Sequence, residues 1–344
     1  MKTKYDALLV VSFGGPEGMD DVIPFLENVL RGRNVPHERM MAVAKHYEQF
    51  GGISPINQQV RDLIKELEKA LGERGPALPI YWGNRNWHPM LADTLEQMRK
   101  DGIKNALYFV TAAYGSYSSC RQYRENVEEA LAATGGDSDL NLQKLRLFFN
   151  HPGFIETNAI HLQEALAEFQ EKDSEGRNDV VVLFSAHSIP SGMAERCRYE
   201  EQLNETARLV ASKAGHKRFE VVYQSRSGPP TQPWLEPDIL DRMKALHNEG
   251  ANRVVVLPVG FISDHMEVVY DLDTEARSLA QELGMDFVRA ATVSTHPAFI
   301  EMIRELICEH VEGITPRFEG LLGLLENQCD PECCKPAPRP AITR

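Results

Sequence analysis

Two stretches of this chain run through the same order of patterns. Residues 81–119, YWGNRNWHPMLADTLEQMRKDGIKNALYFVTAAYGSYSS, and 223–265, YQSRSGPPTQPWLEPDILDRMKALHNEGANRVVVLPVGFISDH, each leave a β-rich run at a tyrosine and cross a polar loop containing proline. Each then enters an acidic helix start, turns at a glycine and climbs into an apolar run that ends in a polar loop. Tyr81 pairs with Tyr223, Gly102 with Gly250 and, roughly, Tyr117 with Asp264; upstream, DALLVVSFGGP matches DVVVLFSAHSIP. A unit that occurs twice builds two similar subdomains.

Their class follows from periodicity. Strand candidates at 6–12, 78–82, 105–113, 143–148, 179–185, 219–224, 252–260 and 286–290 alternate with stretches of helical period. The clearest helix is 54–72, with Ser54 as N-cap, Pro55 in the first turn and Ile56, Val60, Leu63, Ile64, Leu67 and Leu71 on one face. Such alternation predicts parallel sheets covered by helices. The expected fold is α/β: two similar Rossmann-like domains, 1–150 and 151–312, with a cleft between them and a tail at 313–344. Ligands of open parallel sheets bind beyond the carboxyl ends of the strands.

A net charge of −13 argues against a nucleic-acid partner and permits a cationic substrate. No run reaches the roughly 18 apolar residues of a transmembrane segment. The start, MKTKYDALLVVSFGG, reads as a first strand rather than an export signal, so a cytoplasmic protein is expected. No large apolar surface helix calls for a partner subunit, which suits a monomer. SFGGPEG departs from both phosphate-loop patterns, and Pro16 removes a backbone donor.

The strand ends hold the chemistry. FSAHSIP sets His187 after an apolar run, flanked by small residues and closed by Pro190. A neutral imidazole there takes a proton or a borderline metal. In SDHMEVVYDLDTEA, Glu267, Asp271 and Glu275 are four apart and fall on one helical face. Like charges so placed repel, an arrangement that suits handling of a divalent cation. Arg31 and Arg33, with hydroxyls at Tyr47 and Ser54, suit ligand carboxylates. Phe13, Trp82, Trp87, Tyr114, Tyr117 and Trp234 lie at strand ends or in adjoining loops and suit a flat apolar macrocycle.

These motifs, with HYEQFGGISPIN and YQSRSGPPTQPWLEPD, resemble the ferrochelatase family over about residues 5–312. SFGGPEGMDDVIPFLENVLRGR and GNRNW are most similar to its actinobacterial-type, coproporphyrin-using members. The resemblance implies a chelatase-type fold and insertion of ferrous iron into coproporphyrin III to give coproheme. Protoporphyrin use, or a non-catalytic tetrapyrrole carrier, are the alternatives. It implies catalytic roles for His187 and Glu267, metal handling by these two with Asp271 and Glu275, and substrate contacts from Phe13, Arg31, Ser54, Tyr123 and Trp234. Phe13 stands where some members carry a metal-approaching tyrosine. Some members also hold a 2Fe-2S cluster through three tail cysteines and one internal cysteine. Cys329, Cys333 and Cys334 match the tail set, whereas Thr157 stands at the internal position, leaving the fourth ligand unknown, with Cys120 or Cys197 as substitutes.

Overall fold

A computed structural model describes residues 5–32, 35–134, 140–170, 179–228, 231–325 and 332–336. The first half runs β1 (Ala7–Ser12), α1 (Met19–Leu30), α2 (His37–Glu48), α3 (Ile56–Arg74), β2 (Ile80–Asn84), α4 (Leu91–Lys100), β3 (Asn105–Val110), a π-helical turn (Tyr117–Arg121), α5 (Gln122–Ala133) and β4 (Asn141–Lys144). Then come α6 (Pro152–Gln170), β5 (Val181–His187), α7 (Ser191–Ala194), α8 (Tyr199–Ala214), β6 (Phe219–Gln224), α9 (Ile239–Asn248) and β7 (Arg253–Leu257). A helix of three continuous parts follows: α10 (Met266–Val268), a π-helical segment (Val269–Ala276) and α11 (Arg277–Leu283). Last come β8 (Asp286–Arg289) and α12 (Pro297–Val311).

Every strand pair is parallel, and the two four-stranded sheets share one topology, β2-β1-β3-β4 and β6-β5-β7-β8. The repeat in the sequence is thus a repeat in space. Gly102 and Gly250 occupy matching turns after α4 and α9, both in the left-handed region that glycine tolerates. The tyrosine pairing is corrected: the bridges Asn84–Met90 and Tyr223–Asp238 make Asn84, not Tyr81, the counterpart of Tyr223. The loop after β6 is longer than its counterpart after β2, which shifts the apparent alignment.

Burial on both faces explains the near-continuous apolar strands. In β5, Val181 and Leu183 point to the face covered by α9 and the 266–283 helix. Val182 and Phe184 point inward, to the largest core. That core is common to both sheets: it takes in Leu8 and Val10 of β1 together with residues of α3, α6, α8 and α12. Tyr114 crosses it, its hydroxyl donating to the Val259 carbonyl at 3.0 Å. Arg146 and Glu309 close one side as a buried ion pair at 2.8 Å.

Two expected boundaries move. α3 begins at Ile56, with Pro55 rather than Ser54 in the cap position and no side-chain cap; the Ser54 N–H donates to the Pro16 carbonyl at 2.9 Å. β4 ends at Lys144, short of the expected 143–148.

Candidate active site

His187 is the last residue of central strand β5, at the carboxyl edge of its sheet. Its Nδ1–H donates to the Ser188 carbonyl, which leaves the lone pair of the neutral ring on Nε2. That nitrogen lies 3.5 Å from Glu267 Oε2, with both side chains partly open to solvent. The loop is held from behind. Tyr199 Oη donates to the His187 carbonyl at 3.0 Å, and Ser188 Oγ donates to the Leu235 carbonyl at 2.9 Å. Trp234 pairs with Pro190 across that second contact. Sequence positions almost fifty apart therefore meet at one loop.

Glu267 opens the long helix, which His265 caps by accepting the Glu267 N–H at 3.2 Å. Burial lowers the pKa of His265 and keeps it neutral. Val268, Leu272 and Ala276 are buried against the second sheet, so the adjoining row of Glu267, Asp271 and Glu275 turns away from it. In an α-helix, residues four apart drift about 40° around the axis. The wider i→i+5 turn of the π segment opposes that drift and holds the acidic row in line.

Asp271 is the inner rung. Ser225 Oγ donates to its Oδ2, as does Gln224 Nε2 at 3.3 Å. Burial nevertheless pushes its pKa up to about 7, and the charges of Glu267 and Glu275 push the same way. Glu275, at the outer end, is raised by partial burial and by Asp238.

The opposite wall is apolar. Phe25 packs edge-on against Phe13, Tyr47 and Trp87 at 6.0–6.3 Å between ring centres. Met266 completes this cluster from the acidic helix. Burial raises the pKa of Tyr47, and the charge of Glu267 adds to it. His46 stacks on Tyr270 at 3.8 Å with planes 8° apart, so α2 is clasped to the helix that carries Glu267.

The expected substrate residues divide. Phe13 and Trp234 lie as described, and Ser54 is buried in the loop before α3. Arg31 is exposed at the end of α1, donating to Asn28 Oδ1; Asn28 in turn reaches the Asn86 carbonyl. Tyr123 is buried in the core on the α4–α5 face of the first sheet. It connects to Phe13 through Arg85, whose guanidinium lies 4.4 Å over the Tyr123 ring and 5.6 Å over Phe13. Arg85, Gln224 and Ser225 lie in the strand-end segments 84–87 and 224–227, where a ligand of a parallel sheet is expected, although the sequence assigns none of them a role. Among the described residues, the buried atoms Gln224 Oε1 and Trp234 Nε1 have no hydrogen-bond partner.

Among the described residues, no group of three or more His, Cys, Asp or Glu side chains is arranged around one point to hold a single metal ion. His187 and Glu267 form a pair, which suits passage of an ion better than storage. The tail's described residues hold no such group of three either. Cys329 lies outside the described residues. Cys333 and Cys334 have their sulfurs 3.2 Å apart, and Cys334 is hydrogen-bonded to Cys197. Thr157 has other neighbours, bonding the Gly153 carbonyl at 2.8 Å and His296 Nδ1 at 3.2 Å.

The sirohydrochlorin chelatase SirB from Bacillus subtilis subspecies spizizenii, solved in complex with cobalt, superposes with a TM-score of 0.51 at 11% identity, covering 92% of this chain and 100% of that one. That likeness concerns the fold, two α/β halves that each carry a four-stranded parallel sheet. The family model "Ferrochelatase" matches residues 5–311. A ferrochelatase from Rhodopirellula baltica is 51% identical over 337 residues, 97% of this chain and 95% of the relative. Coproporphyrin III ferrochelatases from Nocardia farcinica and Streptomyces coelicolor are 46% and 47% identical, each covering 98% of this chain and 98% and 95% of their own lengths. The chain belongs to the ferrochelatase family, enzymes that insert metal into porphyrin.

Proposed function

We propose that this enzyme inserts ferrous iron into coproporphyrin III and releases coproheme. The observation that carries the chemistry is the Nε2 lone pair of His187 set 3.5 Å from the Glu267 carboxylate. Metallation removes two pyrrole N–H protons as one Fe2+ enters. His187 Nε2 takes these protons one at a time, and Glu267 stabilises the imidazolium formed. Two protons need an exit. Asp271, with its pKa near neutrality, accepts and releases a proton at low cost, and Glu275 opens to solvent. A dication moving inward and two protons moving outward along one acidic row leave its charge unchanged.

The macrocycle lies against Phe13, Phe25, Trp87 and Met266 and beside Trp234. Coproporphyrin carries four propionates, and Arg31, Arg85 and Ser54 are the groups we assign to them. The relatives named for coproporphyrin III support that substrate over protoporphyrin. No helix among the described residues is long and apolar enough to cross a membrane, and we place the enzyme in the cytoplasm. The test is an anaerobic mixture of protein, ferrous iron and either porphyrin, followed by visible absorbance. His187→Ala should still bind coproporphyrin but form no coproheme. Unchanged metallation in that variant would reject the base assignment, and faster metallation of protoporphyrin would reject the substrate.

We assign a 2Fe-2S cluster to the tail cysteines. When bound, such a group supplies one-electron redox chemistry, which metal insertion does not use, so its place is outside the catalytic steps. Iron and acid-labile sulfide in the purified protein test this assignment.

A further inference from the structure

Arg289 ends β8, at the same carboxyl edge of the second sheet as His187. No step of the proposed reaction uses it, yet all three of its guanidinium nitrogens are engaged. Nη1 and Nη2 donate to the two oxygens of Asp264 at 3.1 and 3.2 Å, and Nε donates to Asp273 Oδ1 at 2.7 Å. Only 15% of the Arg289 side chain is open to solvent, against 19% for Asp264 and 25% for Asp273. Charge-assisted bonds so sheltered are directional and little screened by salt.

The two carboxylates frame the acidic helix. Asp264 lies three residues before Glu267, in the loop that leads into the helix, and Asp273 lies in the π segment. Asp273 is two positions from Asp271, so it projects from the other side of the helix, away from the acidic row. One cation therefore holds both the entry and the middle of the element that aims Glu267. Asp264 is also tied across the molecule. Its N–H donates to Gln59 Oε1 of α3 at 2.8 Å, and Thr292 Oγ1 donates to its Oδ1 at 3.4 Å. Both halves of the chain thus meet at the residue from which the helix is hung.

We propose that Arg289 is a positioning residue for metal insertion: it fixes the helix so that Glu267 stays beside His187 Nε2, and it touches neither porphyrin nor iron. This rests on the reading of His187 and Glu267 given above. Without the fork, the start of the helix is free to shift against the second sheet. A misplacement of about 1 Å at reacting groups can cost about a hundredfold in rate. Grip on the macrocycle by the opposite, aromatic wall is unaffected.

The experiment compares Arg289→Gln, Arg289→Lys and Asp273→Asn with Arg242→Gln. The last breaks a similar fork, Arg242 on Glu220 and Glu249 at 2.6 and 2.7 Å, near the amino end of β6 and so away from the site. Initial rates of coproheme formation by the full chain are measured, with far-UV circular dichroism to check folding. Arg289→Gln should lower kcat about tenfold to a hundredfold, with KM for coproporphyrin within about twofold of native. Lysine keeps the charge but cannot grip both carboxylates with one planar fork, so Arg289→Lys should recover only part of the rate. Asp273→Asn should lower kcat about threefold or more, and Arg242→Gln should leave both constants within about twofold. Native kcat in a folded Arg289→Gln overturns the proposal, and so does an equal loss in Arg242→Gln. A raised KM with unchanged kcat would put Arg289 on the porphyrin and overturns it too. If Arg289→Gln does not fold, Asp273→Asn decides, and native kcat there is the overturning result. His187→Ala, run alongside, tests the base separately: an inactive His187→Ala beside a native Arg289→Gln would leave the catalytic reading intact.

Discussion

Asp271→Asn isolates the cost of the buried acidic rung. The carboxyl ordinarily titrates near 3.8, and in the folded chain it titrates near 7. At 1.36 kcal/mol per tenfold, ionising it inside the protein costs about 4 kcal/mol more than in the unfolded chain. The sign follows from proton counts. Between the two values the folded chain holds a proton that the unfolded chain has shed, so this group lowers stability as pH rises. The loss begins near pH 4 and is complete just above pH 7. Asparagine stays neutral, and its Oδ1 can still accept from Ser225 and Gln224. The metal-free variant should therefore be more stable than the native chain, by a margin about 2–3 kcal/mol wider at pH 8 than at pH 5. Urea unfolding followed by circular dichroism across that range measures the margin. A margin independent of pH, or a variant less stable at pH 8, would show that Asp271 is not held protonated by burial.

Other positions test the frame and the substrate wall. Gly260→Ala should destabilise by about 1–3 kcal/mol, because a Cβ there would lie 2.6 Å from Ala186 in β5; thermal unfolding reads it. Glu309→Ala should cost about 3–5 kcal/mol in urea unfolding, since it strands the buried Arg146 charge. Arg85→Ala should raise KM for coproporphyrin by about tenfold with kcat little changed, the mark of lost ground-state binding; initial rates separate the two.

The strands were legible because burial on both faces leaves apolar runs that periodicity detects. His187 was legible for the opposite reason, being a polar residue where such a run stops. The acidic row was readable as spacing, but not as a π-helix, since residues four apart share a face in either geometry. Arg85 and Gln224 were legible as strand-end positions but not in role, because their partners, Phe13 and Tyr123 for one and Asp271 for the other, become neighbours only when strands assemble. Ser54 has the composition of a cap, but the helix starts one residue later than expected and Pro55 takes the cap position. The meeting of Cys197 with the tail is a contact across more than a hundred residues, beyond any local pattern.

The core common to both sheets has a consequence for turnover. With α12 packed on α3 and α6, and Tyr114 bonded to Val259, the two halves cannot swing apart like jaws without breaking into the largest core of the molecule. What can give more readily is the attachment of α1 and α2, whose own core is far smaller. They are fastened to the 266–283 helix by Met266 within that core and by the stack of His46 on Tyr270, so loosening those two contacts would open the wall beside Glu267 without disturbing the sheets.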